Sequence, residues 1–123
     1  MSTEPLIYLA APYSHPNPAV TEGRMAAITR HLAELAADGK VAFSPLLMHY
    51  CLDSGVELPG DYGFWRNYCL TLLGKSDILR VLKLPGWDDS PGVLDEVEFA
   101  KGANIPIEYF DPCPETLLRV PIT

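Results

Sequence analysis

A chain of 123 residues, 48% of them hydrophobic, is long enough to bury one core and too short for two, so a single domain over residues 1–123 is expected. The formal net charge of −7 excludes a nucleic-acid polymer or an anionic membrane as the main partner, because both select basic surfaces. Cys51, Cys69 and Cys113 are odd in number and lack C-x-x-C spacing. With no H-E-x-x-H or similar pattern beside them, neither a disulfide framework nor a metal site is expected.

The opening "MSTEPLIYLAAPY" has no basic n-region, and its apolar run is too short for a signal peptide or a membrane span. A cytoplasmic protein without a cofactor is expected. The mean hydropathy of +0.08 is rich for a lone monomer and suggests a homo-oligomer.

In chain order, "LIYLAAP" (6–12) has no helical period and reads as a buried strand ended by Pro12. A helix follows. Asn17 caps it, Pro18 occupies its first position and Gly39 marks its end, while Met25, Ile28, Leu32 and Leu35 recur on one face. "VAFSP" (41–45) predicts a second strand. Residues 46–63 read as a short helix and a loop, and 64–77 as a helix with Trp65, Cys69 and Leu72 or Leu73 on its core side. His31 is placed on the solvated side of the first helix, and His49 outside any site. "ILRVLKL" (78–84) predicts a third strand, although Arg80 and Lys83 within it suggest an edge or an interface. A helix from Pro91 to about Gly102, a fourth strand over 105–110, and a tail with one helical turn and an extended piece complete the chain.

Strand and helix alternate, which implies βαβ units and a mostly parallel sheet of four or five strands with helices on both faces. The fold class is therefore α/β, a Rossmann-like (flavodoxin-like) three-layer sandwich. Ligands bind such sheets beyond the carboxyl ends of the strands. Two loops qualify, "APYSHPNP" after the first strand and "PGWDDSPG" after the third, and both lead into helices whose amides attract anions. His15 in the first loop is placed to meet a phosphate. Trp87 in the second can stack on a base or pack internally.

The second loop and its helix crowd five acids: Asp88, Asp89, Asp95, Glu96 and Glu98. Advancing roughly 100° per residue from Pro91 groups Val93, Val97 and Ala100 as the core stripe and turns Asp95 and Glu98 to water. Glu96 falls about 60° from the centre of that stripe, at the edge of the buried face. Gly92, one turn earlier, leaves open space above it, toward which a helical side chain leans. A boundary acid and a chemical group are both consistent with this position. Asp88 and Asp89, just before the helix, suit capping and dipole roles. Arg24 is either a solvent arginine or a phosphate ligand.

"YLAAPYS" (8–14), Arg24, "GKVAFSP" (39–45), "SD" (76–77) and "GWDDSPGVLDEVEFAKGANIPI" (86–107) form an ordered set. The set resembles the nucleoside 2-deoxyribosyltransferase superfamily, and within it a small bacterial and phage branch with a G-W-x-x-S-x-G-x-x-x-E-x-x-x-A signature. The resemblance implies that Glu96 is a catalytic glutamate attacking C1′ of a deoxyribose and displacing the base. It implies that Ser90 and Gly92 hold a 5′-phosphate, that Tyr13 and Ser14 line the sugar and phosphate pocket, and that Arg24 is a recurrent arginine nearby.

Such chemistry suits a carboxylate, because breaking an N-glycosidic bond builds oxocarbenium character at C1′. The sequence departs from the family pattern at Cys69, where an acid for the leaving base is usual; Asp77 is retained. The acid for the base is then either missing or supplied by Asp88, Asp89 or a mobile loop. At Ala11, "AAP" replaces the commoner "AGP". The expected substrate is a small-molecule nucleoside or nucleotide, with Tyr13, Ser14, His15, Arg24, Trp87, Asp89, Ser90 and Gly92 as binding residues. The alternatives are a nucleotide-binding module with its chemistry impaired, and a flavodoxin-like cofactor binder or structural oligomer.

Overall fold

The computed structural model describes residues 4–119. Four strands form one parallel sheet: β1 (Leu6–Ala10), β2 (Val41–Phe43), β3 (Ile78–Leu82) and β4 (Ile107–Phe110), in the order β2-β1-β3-β4. The helices are α1 (Pro18–Ala37), α2 (Tyr62–Gly74), α3 (Pro91–Gly102) and α4 (Pro114–Arg119). Two 3-10 segments, Pro45–Ser54 and Trp87–Asp89, replace the short helix expected after β2 and shape the loop after β3. The architecture is α/β with three layers, as the alternating pattern requires. The extended piece expected at the end of the chain lies outside the described residues.

Period-two alternation assigns the faces. Tyr8 and Ala10 of β1 join Leu79 and Val81 of β3 against Leu73 of α2 and Val93, Val97 and Ala100 of α3. Leu9 and Ala11 turn the other way, with Leu82 and Leu84, onto Ala27 and Ile28 of α1. The three residues of α3 expected to face the core are all buried. Asn17 caps α1 by accepting from the Ala19 amide at 3.0 Å, and Gly39 closes it with φ +78°.

Asp77 lies at the amino end of the sheet, where its Oδ2 accepts from the Leu6 amide at 2.7 Å. That is the end away from the loops that ligands use, so Asp77 ties β1 to β3. Among the described residues no helix is long and apolar enough to cross a membrane.

Two expectations are corrected here. Arg80 does not mark an edge, since β3 is paired on both sides. Its guanidinium lies 4.7 Å from the Phe110 ring centroid and bonds to Glu108 at 3.0 Å; Lys83 pairs with Asp111 at 3.0 Å. Both pairs join β3, or the residue just after it, to β4 or to the residue just after that.

His31 is not solvated. It is 5% exposed, with its ring 4.7 Å from Phe110 and its Nε2 3.4 Å from Arg80 Nη1. Burial lowers its pKa and Arg80 adds to that, while the contact with Glu34 opposes it.

A histidine kept neutral in the fold gives stability that is present above its ordinary value of 6.5 and is lost as pH falls below it. Between pH 7 and pH 5, wild-type protein should therefore lose more unfolding free energy than His31→Gln, read from urea midpoints. Parallel pH profiles would contradict this.

Candidate functional site

The loops after β1 and β3, the 3-10 segment after β2, and the facing sides of α2 and α3 enclose a cavity of about 810 Å³. This is the size range of small-ligand sites. Because β1 and β3 are neighbours in mid-sheet while their following helices cover opposite faces, the cavity sits at the switch point where α/β sheets bind ligands.

Glu96 stands half-buried on its wall. The hydroxyl of Tyr8, itself 0% exposed, donates to Glu96 Oε2. Burial pushes the Glu96 carboxyl up to about 7, which the Tyr8 bond partly offsets. Burial and the Glu96 charge drive the Tyr8 hydroxyl far above its usual range, so it stays a donor. The Cys69 thiol beside them is pushed up to about 11, again by burial first and the Glu96 charge second. Gly92 leaves open space, its missing Cβ having only Ser90 Oγ near it, at 4.0 Å. An aimed carboxylate beside a vacancy is what the helical spacing anticipated.

Ser90 is the N-cap of α3, its Oγ accepting from the Val93 amide at 3.3 Å. Pro91 has no amide, so the Gly92 N–H and the Ser90 hydroxyl are the first-turn donors left for a ligand. Asp89 lines the cavity from the preceding turn, and Tyr13, Ser14 and His15 line it from the β1 loop. His15 Nδ1 accepts from the Asn17 amide at 2.9 Å, fixing the ring against the start of α1.

Arg24 is not the solvent arginine that was one of its two expected roles, and it does line the cavity. It is 5% exposed. Nη1 donates to the carbonyls of Tyr13 at 3.2 Å and Ser14 at 3.0 Å, and Nη2 donates to that of Pro85 at 3.0 Å. The guanidinium thus staples the β1 loop to the β3 loop through Nη1 and Nη2, while its Nε is buried without a hydrogen-bond partner among the described residues. Gly86 makes this possible: its φ is +92°, and a Cβ there would stand 2.9 Å from Arg24 Nη2.

Trp87 is also relocated. Its ring packs 5.6 Å from that of Tyr109 and against the core beneath α3, outside the cavity walls. The tryptophan that does line the cavity is Trp65, expected in the core; it packs on Phe64 and Tyr68 and shares the lining with Tyr62. His49 reaches the cavity after all, stacked 4.1 Å from Tyr13, and burial lowers its pKa.

Asp95, expected in water, accepts from Arg66 Nη2 at 3.1 Å and Tyr62 Oη at 3.1 Å. The Arg66 bonds hold its carboxyl below the usual range. The three cysteines are free thiols.

A family model described as "Domain of unknown function (DUF1937)" matches residues 5–111. The chain belongs to this family. All four strands and every wall of the cavity fall inside the DUF1937 match, and α4 falls outside it. A search of curated proteins found no match.

Sequence reading missed Tyr8, Tyr62, Arg66 and the roles of His49 and Trp65. Tyr8 did leave a signal, since a tyrosine inside a fully apolar strand needs a partner for its hydroxyl.

Arg24→Met removes donors from three carbonyls that are shielded by the loops. It should lower unfolding free energy by about 2–4 kcal/mol, measured in urea. A change below the error of the measurement would show that the loops hold without the staple.

Proposed function

We propose that this domain cleaves the N-glycosidic bond of a nucleoside 5′-monophosphate, with Glu96 as the nucleophile. The observation that carries the reading is the Tyr8–Glu96 pair on the cavity wall beside the open space at Gly92. Ionised Glu96 attacks C1′ as the base departs, and the resulting glycosyl ester is discharged by water or by a second base. Tyr8 aims the carboxylate and keeps part of its negative charge available at neutral pH. The Ser90 hydroxyl and the Gly92 amide support the 5′-phosphate at the start of α3. The exposed apolar residues Tyr50, Leu52, Val56 and Tyr62, of which Leu52 and Tyr62 line the cavity, support a homo-oligomer.

A second reading, a nucleotide-binding module without turnover, is favoured by Cys69 where an acid for the leaving base would stand. The two separate cleanly. Nucleotide binding that survives Glu96→Ala, with no base released by the parent protein, selects the module.

With deoxynucleoside 5′-monophosphates, chromatography should detect free base, rising with pH through about 7 as Glu96 ionises. Glu96→Gln should lower the rate by roughly 10³-fold or more. The same variant should be more stable. A carboxyl that titrates at 4.5 when unfolded and at about 7 when folded stabilises below 4.5, and that contribution is lost as pH rises through about 7. At pH 8, Glu96→Gln should therefore gain on the order of 1–3 kcal/mol. A variant that keeps its activity, or that loses both activity and stability, would contradict the assignment.

A further inference from the structure

The α2 side of the cavity bears on the leaving base. A neutral purine or pyrimidine departs as an anion unless an acid protonates it, and such catalysis contributes roughly 10²–10⁴-fold. The groups near Glu96 are poorly placed to give that proton. Asp95 is held in the Arg66 fork and by the Tyr62 hydroxyl. Tyr8 donates to Glu96 itself. Position 69 carries a thiol that holds its proton tightly, and His49 is stacked on Tyr13. Asp89 stands next to Ser90 in the β3 loop, and the His15 ring is held against the Asn17 amide at the start of α1.

Resting on the glycosidase reading, we propose that the preferred substrates are nucleotides whose base already carries a positively charged ring nitrogen, a pyridinium or an N-alkylated purinium. The C1′–N bond then breaks with its electron pair staying on the glycosidic nitrogen, which cancels the ring's positive charge, and the base leaves neutral with no proton required. Glu96 Oε forms the new bond to C1′; water then forms the C1′–OH bond, the carboxylate departs, and one proton passes to solvent.

The walls match such a ring. Trp65 and Tyr62 offer aromatic faces, which attract flat cations. The Glu96 carboxylate lines the same cavity, where the charge of Arg66 is already paired with Asp95. A cation entering beside Glu96 also favours the ionised form of a carboxyl that burial has pushed up, so the substrate helps to charge its own nucleophile.

The test compares 7-methyl-2′-deoxyguanosine 5′-monophosphate with 2′-deoxyguanosine 5′-monophosphate, which share sugar and phosphate. Base release by wild-type protein is measured over the spontaneous rate of each, with Glu96→Gln as control. The expected result is an enhancement roughly 100-fold or more larger for the methylated nucleotide. Equal enhancement, or a larger one for the neutral nucleotide, overturns the proposal and leaves the glycosidase reading standing. Release of neither base above the control overturns both.

Discussion

The hydroxyl of Tyr8 reaching Glu96 is the contact on which the site depends, and it joins two different levels of the fold. Tyr8 belongs to β1, a strand interior to the sheet, and Glu96 to α3, which packs on the same face. A buried phenol must find an acceptor, and a buried carboxylate must find a donor. Each satisfies the other, so the packing of α3 on the sheet also aims the acid. Burial by that packing raises the pKa of Glu96, and the Tyr8 bond offsets part of the rise.

A second constraint keeps the cavity open above this pair. The loops after β1 and β3 lead to helices on opposite faces of the sheet, and nothing in the sheet itself fixes their separation. Arg24 does so, from the face that carries α1, by reaching three carbonyls of the two loops. A charged group is costly to bury unless it is bonded. Here the cost goes into holding Tyr13 and Ser14 a set distance from the turn that leads to Ser90 and Gly92. Gly86 is the residue that lets the staple pass.

Much of this was legible in the sequence, because period and capping chemistry are local. Asn17, Pro18 and Gly39 bound α1 as expected, and the spacing of Val93, Val97 and Ala100 gave the buried face of α3 and so the edge position of Glu96. The errors concern long-range partners. Asp95 looked solvated on its own helix because Arg66 and Tyr62 come from α2. His31 looked solvated because Phe110 and Arg80 come from the sheet. Trp65 was placed in the core because a helical wheel cannot tell a core from a cavity wall, and of the two places open to Trp87 it takes the internal one. Arg24 was correctly singled out, but its backbone partners lie in two loops that only the fold brings together.

The account turns on Glu96 forming a bond to C1′. Its most direct test is mass spectrometry of the protein quenched in acid during turnover of a deoxynucleoside 5′-monophosphate, followed by proteolysis. The account predicts a deoxyribose-phosphate adduct on the peptide that contains Glu96, missing from Glu96→Gln. Base release continuing undiminished in that variant, with the peptide unmodified in the parent, would contradict it.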